Sequence, residues 1–289
     1  MENLRGAILM TAAMLGFACG DLFIKLMTES LPTWQILCLM GVSGGLVFAV
    51  ALTVAGQALF HRAMLSPVLL LRNLGEIVGT VGFITALSMT SFSLASTILQ
   101  TAPLAVTLGA ALVLKEPVGW RRWSAIAVGF AGVLVVMRPT VDGIDAGALF
   151  ALLAVAGLAV RDLTTRMAPP AVHSLQLSLM GFAALVPAGL MLWAVNRGGP
   201  VAMAPLHLGY LAAAVGFIGI SYVAIVTAMR TGDISAVTPF RYTRIVFSLT
   251  LGALVFGDVI DAPMLAGCVI IAGAGLYTIV RERKQRARA

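Results

Sequence analysis

The 38 residues from Ile77 to Leu114, IVGTVGFITALSMTSFSLASTILQTAPLAVTLGAALVL, contain no Asp, Glu, Lys or Arg. A membrane-spanning helix takes about 20 mostly apolar residues. The stretch therefore holds two spans, separated by the polar turn Ser88-Met89-Thr90-Ser91-Phe92-Ser93. Outward from it, the segments 30–61, 167–196, 198–229 and 262–280 are equally free of charge. Of 289 residues only 31 are charged (19 basic, 12 acidic), or 11%, while 60% are hydrophobic. Ordinary soluble domains carry about 25% charge, and disordered chains lack this much apolar surface. Both classes are excluded. The pattern predicts an all-α membrane protein with ten spans, near 6–27, 34–54, 67–88, 93–113, 121–138, 146–166, 174–195, 207–229, 234–256 and 262–280. The longest connections, 55–66 and 196–206, are too short to be catalytic or nucleotide-binding domains.

Basic residues in loops orient such a chain, because cytoplasmic loops are enriched in Lys and Arg. With the N-terminus inside, twelve basic residues fall on the cytoplasmic side: Arg5, Arg62, Lys115, Arg121, Arg122, Arg166, Arg230 and five in the tail 281–289. Only Lys25, Arg138 and Arg197 fall outside. Both termini are expected in the cytoplasm of a bacterium, with the chain in its inner membrane. The net charge of +7 is concentrated in the tail, so it gives no reason to expect nucleic acid as a partner. The expected partners are the bilayer and a small-molecule substrate, and either a monomer or a homodimer is compatible with the sequence. Cys19, Cys38 and Cys268 have no ligand-like spacing and read as small core residues. No metal and no cofactor is expected.

A shift of the sequence by 141 residues aligns the first span with the sixth. Gly6-Ala7 falls on Gly147-Ala148, Gly16 on Gly157, Asp21 on Asp162, Lys25 on Arg166, Gln35 on Gln176, Gly75 on Gly216 and Thr90 on Thr231. One insertion later Glu116 meets Asp258. This is a duplicated five-helix unit, 1–140 and 141–280, followed by the basic tail 281–289. Because five is odd, the second copy enters the membrane from the opposite side. Inverted repeats of this kind are the architecture of many secondary transporters, with the substrate site near the midplane between the halves. The pairs Gly16/Gly20, Gly41/Gly45, Gly75/Gly79, Gly129/Gly132 and Gly216/Gly219 are spaced for close helix packing in lipid.

Particular segments carry a family likeness. They are Ala86-Leu87, Ser93-Leu94-Ala95-Ser96, Pro103 and Lys115-Glu116-Pro117 in the first half. In the second they are Ser235-Ala236, Pro239-Phe240-Arg241-Tyr242, Phe256-Gly257-Asp258 and Ile270-Ile271-Ala272-Gly273. With the ten-span count they resemble the drug/metabolite transporter superfamily, in its EamA-type ten-helix form. The YddG-type amino-acid exporter branch is one home within it, and carriers of sugars, nucleotide cofactors and drugs share the fold. The small four-helix relatives that exchange drugs for protons use a carboxylate midway along their first helix, where this chain has apolar residues and Cys19. The resemblance implies a transporter and leaves its substrate open.

An ionisable side chain at mid-depth costs at least about 2.5–3.5 kcal/mol and so needs a reason to be there. At about 1.5 Å per residue, Glu76 on the third span and Arg244 on the ninth lie near the midplane, with Arg241 one turn shallower. Gln100 and Thr101 on the fourth span reach the same level. Thr97 shares their face, Thr80 continues the Arg72–Glu76 face, and Tyr222 and Tyr242 add hydroxyls. The third, fourth, eighth and ninth spans are expected to line a polar cavity, in which arginine would take a carboxylate and Glu76 an ammonium. Structural pairing, Arg72 with Glu76 or Glu76 with Arg244, is the alternative use of these charges. Asp21/Lys25 and Asp162/Arg166 are i, i+4 pairs at equivalent places, which suits helix-end architecture or a gate. Pro103 is placed to kink the fourth span, with Pro187 and Pro239 as lesser candidates.

The leading expectation is a secondary carrier, most simply an amino-acid exporter working by alternating access. Uptake of a cofactor-like solute and drug efflux are the alternatives within transport. No G-x-x-x-x-G-K-[ST] loop is present, so ATP hydrolysis is not expected, and neither HExxH nor a Ser/His pair suggests an enzyme. A non-transporting scaffold would gain nothing from two equivalent gates.

Overall fold

The computed structural model describes residues 2–115, 119–138, 145–231 and 234–286. Glu116 and Pro117 of the connection after the fourth span therefore lie outside the described residues. The helices are α1 (Glu2–Thr28), α2 (Thr33–Val54), α3 (Pro67–Met89), α4 (Phe92–Leu99), α5 (Ala102–Leu112) and α6 (Trp120–Met137) in the first half. The second half contributes α7 (Ala146–Arg166), α8 (Ser174–Asn196), α9 (Pro205–Thr231), α10 (Ile234–Val237), α11 (Thr243–Leu251) and α12 (Ala262–Arg286). Nine segments among the described residues, with α4 and α5 counted as one, are long and apolar enough to cross a membrane. The tenth crossing, 234–256, is made of short pieces. The last helix continues to Arg286, so the start of the basic tail is helical rather than a separate segment.

Two spans expected to be continuous are broken. Pro103 has no N–H for the carbonyl of Leu99, and the chain steps through two tight turns: Gln100 N–H to Thr97 O at 3.1 Å and Thr101 N–H to Ile98 O at 3.0 Å. Helix α5 then starts with its proline in the first turn, where the missing N–H costs nothing. In the second half Pro239 sits at the start of a 3-10 turn, Thr238–Tyr242, between α10 and α11. A wider π turn follows at Gly252–Phe256, and Gly257 closes it at φ 67°, a backbone conformation that favours glycine. Pro187, by contrast, lies inside an unbroken α8.

The halves interlock rather than sit side by side. Helix α3 packs along α7 and α1 along α9, two pairings that exchange when the repeats are exchanged. Helix α2 packs on α8, α6 on α12 and α4 on α11, each pairing mapping onto itself. The buried glutamines Gln35 and Gln176 obey the same symmetry. Gln35 holds Val201 through both amide atoms, at 2.8 and 2.9 Å, and Gln176 donates to the carbonyl of Ala58 at 2.7 Å. Each half thereby pins the long connection of the other. Small residues set the closest approaches. A Cβ on Gly75 would stand 2.7 Å from the backbone nitrogen of Arg161, and one on Gly157 would stand 2.4 Å from that of Gly79. The expected packing role does not extend to Gly45, Gly216 and Gly219, which meet no neighbour within 4 Å. Large apolar residues such as Leu46, Val50, Ile220, Val223, Leu254 and Val269 are exposed, as side chains against lipid tails would be.

The symmetry fails at the two mouths. At the end of α1, Lys25 Nζ donates to the carbonyls of Leu87 (2.5 Å) and Thr90 (3.0 Å), capping the C-terminus of α3. Its repeat equivalent Arg166 is exposed and makes no such bond among the described residues, and α7 touches α9 little. The expected pairing of Lys25 with Asp21 does not form, because the ammonium satisfies helix-terminal carbonyls that have no N–H of their own. Beside it, Asp258 accepts from the backbone N–H of Ser93 at 2.7 Å, so the ninth crossing caps the N-terminus of α4. N-cap replacements cost about 1 kcal/mol. Asp258→Ala is therefore expected to lower the melting temperature of the purified protein measurably, and an unchanged midpoint would show the cap to be idle. Nearby, Asp261 accepts from the N–H of Met264 at 3.1 Å, and its hydrogen bond from Arg138 holds its carboxyl below the usual range.

Candidate functional site

Seven charged residues lie within the spans away from their ends: Asp21, Arg72, Glu76, Arg161, Asp162, Arg241 and Arg244. The tight approach of α3 to α7 brings four of them together. Glu76 accepts from Arg72 at 3.2 Å through one oxygen and from Arg161 at 3.3 Å through the other. Arg161 continues to Asp162 at 2.8 Å, and Arg72 also donates to Asn73 Oδ1 at 3.1 Å. Gly181 of α8 lies against this network, where a Cβ would sit 3.2 Å from Glu76 Oε2 and 3.3 Å from Arg72 Nη1. Two guanidinium groups and two carboxylates cancel. Glu76 is thus fully engaged by arginine, and the structural alternative weighed for Arg72 and Glu76 is the arrangement observed.

Arg244 makes its own pair with Asp21 across the α11–α1 contact and lies over the ring of Phe17 at 5.4 Å. It does not meet Glu76. The equivalent carboxylates Asp21 and Asp162 therefore both pair with arginine, and neither uses the residue four positions on. The reason is depth. At these positions a carboxylate needs two or more charge-assisted donors, which a guanidinium supplies in a fixed fork, whereas Lys25 and Arg166 are close enough to the helix ends to reach elsewhere.

Arg241 is different. Its guanidinium makes no hydrogen bond or ion pair among the described residues, although it lies inside the bundle and keeps part of its accessible surface. Its electrostatic neighbours are Asp162, Tyr242, Arg161 and Arg244, so it feels charges of both the network and the Arg244–Asp21 pair. The backbone carbonyl of Arg241 accepts from Gln100 Nε2 at 3.2 Å. Gln100 and Arg241 are separated by the repeat offset of 141 residues. Equivalent residues in contact mark the pseudo-two-fold axis, and both helix breaks lie on it.

The other expected residues divide. Thr97 is buried against Cys268, with oxygen and sulfur 3.6 Å apart, and Thr101 donates to the carbonyl of Ile98 at 2.6 Å. Both hydroxyls are spent within the packing. Tyr222 sets its ring edge against Phe48, 6.1 Å between centroids, on the α9–α2 contact. Thr80 is partly buried on α3. Tyr242 is buried against Gly275, and its hydroxyl has no partner among the described residues. The hydroxyls of Ser96 and Ser248, on the same two broken crossings, are also buried and unpartnered. Arg161 is not among the residues expected from the sequence to handle a substrate. Its place beside Asp162 was the available signal.

Cys268 is buried, while Cys19 and Cys38 are only partly so, and all three are free thiols. No group of three or more His, Cys, Asp or Glu among the described residues is disposed to hold a metal ion. An open surface cavity of about 530 Å³ lies at the mouth beside Lys25, lined by Lys25, Glu29, Asp145, Phe256 and Asp258 among others. Two of its carboxylates cap helices, Asp145 on α7 and Asp258 on α4.

Comparison with known proteins agrees with this architecture. The EamA-like transporter family matches residues 4–138, the first repeat. An S-adenosylmethionine uptake transporter of Rickettsia felis is 26% identical over 225 residues, covering 76% of this chain and 74% of that protein. A riboflavin transporter of Rhizobium johnstonii is 28% identical over 219 residues, covering 73% and 69%. A pseudopaline exporter of Pseudomonas aeruginosa is 26% identical over 272 residues, covering 92% and 93%. A solved crystal structure superposes with a TM-score of 0.62 at 16% identity, covering 98% of this chain and 99% of that one, which establishes the ten-helix fold. The chain is thus similar to bacterial membrane transporters over most of its length, and to the EamA-like family over its first half. The names of these relatives do not single out the YddG-type amino-acid exporter branch.

Proposed function

We propose that this chain is a secondary transporter that takes up a small, amphiphilic, cofactor-like metabolite by alternating access. The observation that carries this is the paired helix break. Two crossings lose their helical hydrogen bonds at repeat-equivalent residues, Gln100 and Arg241, which touch through the side-chain amide of one and the backbone carbonyl of the other. Irregular backbone inside a bilayer is tolerated where it is buried in protein or lines a cavity, and discontinuous helices at a repeat interface form the binding sites of several transporter folds. The S-adenosylmethionine uptake transporter among the relatives supports uptake, and with the riboflavin transporter it supports a cofactor-sized solute over an amino acid. Export is the second reading, and the pseudopaline exporter favours it by matching nearly the full length. The energy source is a solute or ion gradient. The chain works as a carrier rather than a catalyst, in the bacterial inner membrane with both termini cytoplasmic.

Counterflow into proteoliposomes tests the proposal. Vesicles preloaded with unlabelled S-adenosylmethionine, riboflavin or an amino-acid mixture are expected to accumulate the matching labelled solute for at least one of the three. If none exchanges above protein-free vesicles, the transporter reading fails for this substrate range. If only amino acids exchange, the cofactor-like assignment is replaced by the amino-acid one.

A further inference from the structure

The charges inside the spans do not balance. Away from the span ends, where Lys25, Arg121, Arg122, Arg138 and Arg166 lie, four are arginines and three are carboxylates. Glu76 and Asp162 answer Arg72 and Arg161, and Asp21 answers Arg244. Among the described residues Arg241 is the remainder. A guanidinium carries five N–H donors and cannot shed its proton to escape the cost of burial. A group of this kind deep in a membrane protein is kept where something anionic visits it. The two broken crossings also hold buried hydroxyls without partners among the described residues, those of Ser96, Tyr242 and Ser248, so their polar capacity exceeds what the described residues use.

From this surplus we infer that the transported solute carries an anionic group, carboxylate or phosphate, and that Arg241 is the residue that binds it. The inference rests on the transporter reading above and goes further by naming the charge of the substrate. Glu76 is not the reader of an ammonium in this arrangement, because both its oxygens are taken by arginine. Arg244 is not the carboxylate reader, because Asp21 occupies it. The planar fork of Arg241 suits two oxygens of one carboxylate or phosphate. Its backbone carbonyl meets Gln100, its repeat equivalent, so the residue sits where the two halves join.

The test compares matched solutes that differ in the anionic group: S-adenosylmethionine and its decarboxylated analogue, riboflavin 5′-phosphate and riboflavin, leucine and isopentylamine. Binding to the purified full-length chain is read by ligand-induced thermal shift, and transport by counterflow. A hydrogen-bonded charge pair contributes about a 10–100-fold preference. Within whichever pair binds, the anionic member is expected to bind tighter by that factor. Arg241→Gln should bring the ratio close to one, while Arg241→Lys should retain part of it. A purely structural Arg241 would weaken both members together and leave the ratio unchanged. The inference is overturned by a wild-type ratio near one, by a ratio that survives Arg241→Gln, or by failure of every anionic member to bind. If the binding ratio holds but no solute exchanges, the anion site stands and the transporter reading falls.

Discussion

Glu76→Gln is expected to destabilise the folded protein by about 3–5 kcal/mol, the range for breaking a buried ion pair by removing one partner. Glu76 is shared by two guanidinium groups, at 3.2 and 3.3 Å, and its side chain is 17% exposed. The amide keeps the shape and one acceptor oxygen but removes the charge that lets Arg72, 6% exposed, remain in place. Arg161 is better placed to survive, since Asp162 remains at 2.8 Å. Arg161→Gln should therefore cost less than Glu76→Gln, because Glu76 would keep Arg72. The measurement is the melting temperature of each variant in one detergent, beside its counterflow rate. A Glu76→Gln protein of wild-type stability that has lost transport would return Glu76 to the substrate site.

The second large effect concerns glycines that the repeat makes equivalent and the packing does not. Gly157→Ala places a methyl 2.4 Å from the backbone nitrogen of Gly79 and 2.8 Å from the carbonyl of Gly75, so α3 and α7 have to move apart. Overpacking a close contact costs about 1–3 kcal/mol, occasionally more, and rigid backbone on both sides puts this site at the upper end. Its equivalent Gly16 faces Ser221 Oγ, at 2.1 Å from an added Cβ, and that hydroxyl can swing away. Gly16→Ala should be the milder substitution. Gly216→Ala, with nothing within 4 Å, is expected to be neutral or to stabilise by up to about 1 kcal/mol through the better helix propensity of alanine. Thermal midpoints of the three variants order the sites. Equal losses at Gly157 and Gly216 would mean that the α3–α7 contact is not the tight one.

Those glycines also mark where the sequence stops being informative. Gly75/Gly79 and Gly216/Gly219 look alike in sequence, yet only the first pair is in close contact, because spacing reveals a face that can pack and not which neighbour covers it. The spans themselves were plain from charge-free segments such as 77–114, and the inverted duplication followed from matches such as Asp21/Asp162 and Gln35/Gln176. The two breaks were half legible. Pro103 and Pro239 indicated a kink, but the shift from kink to interruption at Gln100–Thr101 and Thr238–Tyr242 depends on the crossings packed around them. Ion pairing was least legible. Spacing of i, i+4 suggested Asp21–Lys25 and Asp162–Arg166, whereas the partners are Arg244 and Arg161, one on another helix and one adjacent in sequence. Depth and interhelical approach decide such pairs, and neither is written in the spacing.

The ammonium of Lys25 on the last carbonyls of α3, with Arg166 left exposed at the opposite mouth, gives the molecule a handedness in time. A chain built from two inverted copies has no intrinsic reason to prefer one closed face. Exchanging the roles of the repeats generates a second arrangement in which Arg166 would reach the carbonyls of Ala228 and Thr231, the counterparts of Leu87 and Thr90. The fold thus contains its own opposite, and the energy gap between the two rests on positions where the copies differ, among them Lys25 against Arg166, Asp258 against Glu116 and Pro103 against Arg244. Drift at those positions can tune the resting face of the protein while the packing that forms both states stays the same.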